Sequence, residues 1–223
     1  MEYDYTILRD SSLFRGMTDE EIEQSIPLID GRLLTAEKDE FIIKNGDEGR
    51  YMGIIISGKC MLIQDDVWGH RNIVGNVLPD ETFSEPYSLF RSHVPLSVVA
   101  TEKTVYFYFD ATKIVTDNPH NGHVHMLLTN NFITLLNRKV MRLVDKITHT
   151  TQRTTRAKIL SYLNTCAYEE QNLTFTIPFN RQQLADYLGV ERAAMTVVLS
   201  ELKEEGLISF QKNTFTLIRN SLY

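Results

Sequence analysis

Little in this chain suggests covalent or metal cross-links. Only two of its 223 residues are cysteine, Cys60 and Cys166, far apart and outside any metal-ligand spacing. A disulfide framework and a cysteine-ligated zinc site are thereby excluded, as is the familiar four-cysteine iron–sulfur cluster. No apolar run approaches the roughly 18 residues of a membrane helix, so no membrane partner is expected. The first residues, MEYDYTILRD, are polar and acidic and do not read as a secretory leader, so a cytoplasmic location is expected. A basic excess is missing too: the formal net charge is −6, whereas nucleic-acid binders are usually basic. What is present is enough apolar material for a packed core without staples, 43% of the residues.

The charge is uneven. Residues 1–147 carry 15 Lys and Arg against 22 Asp and Glu, whereas residues 148–223 carry 8 against 7. The tail remains compatible with DNA, through well-placed residues rather than bulk attraction.

Thr18 followed by acidic residues marks a helix start over residues 18–30. From about residue 33 to 109, short apolar runs alternate with turn signals at Asn45-Gly46-Asp47, Ser57-Gly58, Trp68-Gly69 and Pro79-Asp80. The runs are Met52–Ile56, Met61–Ile63, Ile73–Leu78 and the long Leu96–Phe109. Even spacing of this kind predicts an all-β sandwich or barrel, with a loop-rich α+β fold as the alternative. Asn118-Pro119 then marks the start of a helix of about 28 residues. Along it Leu128, Phe132, Leu136, Val140, Leu143 and Ile147 recur at helical spacing. A helix that long and apolar needs cover on more than one side: one side can lie on the β domain and the other is most simply met by a second copy of the chain, the alternative being a helix buried within a monomer. A further helix is expected over 152–169 and a strand over 174–177.

Residues 180–206, NRQQLADYLGVERAAMTVVLSELKEEG, carry the sharpest signal. Asn180 and Gln183 form a capping-box pair. Leu184, Ala185 and Leu188 give one apolar turn, and Gly189 stops it. A second helix follows with Met195, Val198, Leu199 and Leu202 on one face. This is a helix-turn-helix, a unit that sets its second helix in the major groove. Two alternating strands around Lys212-Asn213 add a wing. The expected DNA contacts are Arg192, Ala193, Thr196 and Ser200 on the second helix, with Arg181, Gln182 and Lys212 on phosphates. With Ala193 and Val197 in the reading face, an A/T-rich palindrome is expected.

With these residues in place, the chain resembles the Crp/Fnr transcription regulators over nearly its whole length. The resemblance rests on the turn glycines Gly46, Gly58 and Gly69, the long helix, Arg156 in TTRAKIL, and the winged helix. It implies an α+β protein with an effector-sensing β-roll over residues 1–117, a dimerisation helix over 118–149 and a winged-helix DNA-binding domain over 150–223. It also implies a homodimer on double-stranded DNA, a small-molecule effector, RNA polymerase as a further partner, and no enzymatic activity.

In cyclic-nucleotide-binding members of that family, a Gly-Glu pair precedes an Arg-Ser pair that neutralises the cyclic phosphate. Here the first pair reads Ser84-Glu85. Counting back from Val98-Val99-Ala100, the second falls on Val94-Pro95. A buried phosphate without a cation is costly, so no response to cyclic AMP is expected. The helix residues that face the base fall on Met141 and Arg142. Arg91 stands three residues from the vacated position. What remains is an apolar and aromatic pocket formed by Phe83, Tyr87 and Leu96, with Glu85, His93, Ser97 and Arg142 as polar handles. Such a pocket suits a small organic acid or phenol, and the sequence looks more like the members that sense halogenated phenols. The alternatives are a haem or metal sensor, using His70, His93, Cys60 or the trio His120, His123 and His125, and an interaction module with a vestigial pocket. A cupin-like metalloenzyme would need paired histidines on one strand, which the sequence does not offer.

Overall fold

The computed structural model describes residues 5–65, 71–116 and 122–218. The turn at Trp68-Gly69, the helix start at Asn118-Pro119, His70 and His120 lie outside them. The chain divides into two compact units, Met1–Leu136 and Asn137–Tyr223.

The first unit opens with α1 (Asp19–Leu28), closed at its start by a Thr18/Glu21 capping box. The strands follow as β1 (Arg32–Ala36), β2 (Phe41–Ile43), β3 (Met52–Ser57), β4 (Cys60–Asp65), β5 (Arg71–Val77) and β6 (Thr82–Phe83). After the short helix α2 (Glu85–Phe90) come β7 (Ser97–Ala100), β8 (Thr104–Phe109), α3 (Thr112–Val115) and the long α4 (Gly122–Thr150), whose residues from Asn137 onward belong to the second unit. Two four-stranded antiparallel sheets result, in the orders β1-β8-β3-β6 and β2-β7-β4-β5. This is the expected β-roll, with two differences. The run Leu96–Phe109 is two strands, because the chain leaves one sheet after Ala100 and joins the other at Thr104. Thr104 Oγ1 pins that crossing, accepting from the Lys59 amide at 3.1 Å. And FSEPYSLF, expected only as pocket, contains α2.

One core cluster includes Ile43, Cys60, Phe83, Val94, Val98 and Tyr106. Gly53 has a packing reason to lack a side chain: a Cβ there would lie 2.0 Å from the Phe83 ring. A second cluster joins Phe14, Ile22, Met52 and Phe107 to Leu128, Phe132 and Leu135 of α4. The apolar stripe of α4 is therefore divided. Leu128 and Phe132 are buried by their own chain, and Leu136 packs partly against the same core. Leu128 and Phe132 are therefore not free for a second copy. Val140, Leu143 and Ile147 stay more than half exposed, at 55, 53 and 61%.

In the second unit, α5 (Thr155–Glu169) is capped by Thr154, and β9 (Thr174–Thr176) follows. Next come α6 (Arg181–Leu188), α7 (Arg192–Glu204), β10 (Ile208–Gln211) and β11 (Thr214–Leu217). The strands form one sheet in the order β10-β11-β9. Both hydrogen bonds of the Asn180/Gln183 capping box are present, and Gly189 ends α6 at φ 60°. Met195, Leu199 and Leu202 are buried at 0–1% exposure, each contributing about 1.5–3 kcal/mol of hydrophobic stabilisation.

Candidate functional site

Two sites follow from this architecture, one on each unit. In the second, burying Met195, Leu199 and Leu202 turns the opposite face of α7 outward. Arg192, Ala193, Thr196, Val197 and Ser200 are exposed. The Thr196 hydroxyl donates to the Arg192 carbonyl at 2.9 Å, and the Ser200 hydroxyl to the Thr196 carbonyl at 3.2 Å. Both keep acceptor lone pairs on a surface otherwise made of methyl groups and one guanidinium. Gln182 is exposed and donates to Asp186 Oδ1 at 2.8 Å. Lys212, exposed at the tip of the wing, adopts φ 51°.

Arg181 is placed differently from a free phosphate ligand. Its guanidinium lies 5.0 and 4.9 Å from the ring centroids of Phe210 and Phe215 and donates to the Lys212 carbonyl at 2.9 Å. Nη1 is buried without a hydrogen-bond partner. Burial disfavours its charged form, lowering its pKa. It ties the first helix of the motif to the wing. The clue in the sequence is the pair of wing phenylalanines, whose approach to Arg181 depends on the hairpin register.

In the first unit, Phe83 is buried, stacked on Tyr108 at 6.4 Å between centroids and tilted against Tyr106 at 6.2 Å. Burial is the main influence pushing both tyrosines up, Tyr108 to about 12. They remain neutral phenols. Glu85 is buried at the first position of α2 and accepts a hydrogen bond from the Thr82 hydroxyl. Ser84 before it takes φ 68°, a left-handed conformation that suits glycine and costs other residues roughly 1–2 kcal/mol. The Ser84 hydroxyl is buried and has no hydrogen-bond partner. Tyr87 is half-buried against the same core, as is Leu96. Ser97 Oγ accepts from the Asn45 amide at 3.0 Å.

The position expected to have lost its phosphate-binding cation is Val94. Val94 is 1% exposed. Its amide donates to Asp47 O at 2.9 Å, and its carbonyl accepts from the Gly46 amide at 2.8 Å. Arg91 is engaged elsewhere: it donates to the Arg50 carbonyl at 2.6 Å, Asp110 Oδ2 at 2.7 Å and Thr112 Oγ1 at 2.8 Å.

The other residues expected as ligand handles are placed as follows. His93 is exposed and joins Glu48 only through a backbone bridge. His123 Nε2 faces Glu21 Oε1 at 3.3 Å. Cys60 is fully buried, and burial pushes its thiol up to about 11, partly opposed by Thr104. It is therefore a thiol rather than a thiolate near neutral pH. Met141 and Arg142 belong to the second unit, both exposed.

Residues 33–115 match the model of the cyclic nucleotide-binding domain, and residues 157–220 that of the Crp-like helix-turn-helix domain. The transcriptional activator protein FnrL of Cereibacter sphaeroides is 25% identical over 189 residues, covering 79% of this chain and 72% of the relative. The cyclic AMP receptor protein of Thermus thermophilus is 25% identical over 213 residues, covering 93 and 92%. Among solved structures, CprK complexed with OCPA superposes with a TM-score of 0.64 at 18% identity, covering 90% of this chain and 92% of that one.

Proposed function

The chain belongs to the Crp/Fnr-type DNA-binding transcription regulators, joining a cyclic nucleotide-binding domain to a Crp-like helix-turn-helix, and from that membership we propose that it acts as an effector-responsive homodimer that does not answer to cyclic AMP. The observation that carries the reading is the state of the phosphate position. Val94 is buried there and Arg91 is spent on Asp110, Thr112 and a carbonyl. A cyclic phosphate would be buried with no cation, at a cost of several kcal/mol. The Thermus relative bears the name of a cyclic AMP receptor, and Val94-Pro95 marks the departure from such a receptor.

That the pocket still serves a ligand is supported by Ser84. A strained backbone and an orphaned buried hydroxyl are both unfavourable. They sit beside buried Glu85, which accepts from Thr82. A polar group supplied from outside the chain would satisfy Ser84, and the ring system of Phe83, Tyr106 and Tyr108 favours an aromatic body. The proposed effector is a small, neutral or weakly anionic aromatic compound. The proposed division of labour is sensing by residues 1–117, dimerisation by 118–149 and DNA binding by 150–223. The outward face of α7, with Arg192 and Thr196, is the proposed reading head, and Gln182 and Lys212 contact phosphates.

Thermal-shift titration with cyclic AMP, cyclic GMP, phenols and aromatic carboxylic acids tests the effector. A saturable shift from a phenol or aromatic acid is expected, and none from the nucleotides. Stabilisation by cyclic AMP would refute the proposal. Gel shifts on the DNA upstream of the chain's own gene, with and without the stabilising compound, test whether that compound changes operator binding.

A further inference from the structure

The second unit contains a cavity of about 260 Å³, away from the outward face of α7. Its walls come from the last turns of α4, from α5, from β9 and the residues that follow it, and from Tyr187 of α6. One wall is aromatic. Tyr162, Phe179 and Tyr187 have ring centroids 5.0–6.1 Å apart. His149 meets Tyr162 edge-on at 5.7 Å. The rest of the lining includes three carboxylates, Asp145, Glu169 and Glu170, against one guanidinium, that of Arg142.

The histidine does not offset this negative charge. His149 is buried, and burial lowers its pKa while Asp145 works to raise it. It is neutral at pH 7, with Nδ1 2.8 Å from the Ser161 hydroxyl. Neighbouring groups register the same field. Burial, then Asp145 and Glu170, push the Glu169 carboxyl up. Burial, then Asp145, Cys166 and Glu169, push the Tyr187 phenol up to about 12. The phenols therefore stay neutral and keep electron-rich faces, which attract cations. The Tyr187 ring already takes one, with Lys146 Nζ 5.7 Å from its centroid.

We propose that this cavity binds a small organic ammonium ion, with its charge among Asp145, Glu169 and Glu170 and its apolar body against Tyr162, Phe179 and Tyr187. The volume lies just below the range of drug-sized pockets, so the ligand is a small amine. Aromatic walls select it over a bare metal ion, which would find no use for them. The site is separate from the β-roll pocket and stands whether or not the proposed effector is right.

Isothermal titration of the full-length protein with phenethylammonium, 2-phenylethanol and phenylacetate separates charge from shape. Saturable binding of the ammonium is expected, with the isosteric alcohol weaker by about tenfold or more and no binding of the acid. Replacing Glu169→Gln and Glu170→Gln together should weaken the ammonium about tenfold with an unchanged melting curve. Should the pair melt early, Glu170→Gln alone, at an exposed position, carries the comparison. Loss of affinity in these variants places the binding here rather than in the β-roll. No saturable binding of the ammonium, equal binding of the alcohol, or undiminished affinity in the carboxamide variants would each overturn the proposal.

Discussion

Asp110 is 2% exposed and pairs with the more open Arg91. Burial works to raise its carboxyl pKa, but the Thr112 and Arg91 hydrogen bonds outweigh it and hold the group below the ordinary 3.8. A depressed carboxyl stabilises the fold fully above its unfolded value and loses that contribution as pH falls through the folded one. Arg91→Ala should therefore cost about 1–3 kcal/mol near pH 7 by stranding a buried acceptor. The deficit, read by urea denaturation, should shrink below about pH 4 as Asp110 protonates. An equal deficit at pH 3 and pH 7 would mean that the ion pair is not its source. Ser84 gives a second test at this scale. Ser84→Gly removes both the strain and the orphaned hydroxyl, so it should raise stability by about 1 kcal/mol while weakening the response to any effector that shifts the wild type. That Ser84 precedes Glu85 where the resemblance leads one to expect Gly was legible from the sequence. That its backbone keeps the left-handed conformation was not, because φ is imposed by β6 and α2 on either side.

At the scale of elements, the helix-turn-helix was legible almost to the residue. Its signals are local: a cap, an apolar turn and a glycine. Gly189→Ala would place a Cβ with nothing within 4 Å of it, so its expected cost of about 1–2 kcal/mol is backbone strain alone. Thermal melting of the two variants should find Gly189→Asn milder, since asparagine tolerates that conformation better than alanine. The two arginines of the motif should behave differently. Arg192→Ala should weaken operator binding by about 1–3 kcal/mol without changing stability. Arg181→Ala should lower the melting temperature, because it removes the guanidinium packed on Phe210 and Phe215. Fluorescence anisotropy paired with melting curves distinguishes them, and a reversed pattern would exchange their roles. The packing of Arg181 on the wing was not legible in the sequence, because its ring partners lie 29 and 34 residues along the chain.

For the whole molecule, α4 matters most. Its periodicity announced an apolar stripe, but one chain covers only part of that stripe. The exposed part, Val140, Leu143 and Ile147, lies in the last four turns. Leu143→Glu with Ile147→Glu should convert a dimer into a monomer in sedimentation velocity, with the helical circular-dichroism signal retained. A wild-type chain that sediments as a monomer would rule out the proposed assembly.

The sequence by itself determined everything set by neighbours a few residues apart. This includes the capping boxes at Thr18 and Asn180, the stop at Gly189, and the alternation that builds the β-roll. Tertiary structure alone decided which groups were left over. It spent Arg91 on Asp110 and Arg181 on the wing, left Ser84 unpaired, buried Leu128 and exposed Val140. It also gathered Asp145, Glu169 and Tyr187 around one cavity. Side-chain type constrains what a residue is able to bind, whereas long-range packing determines whether a partner reaches it.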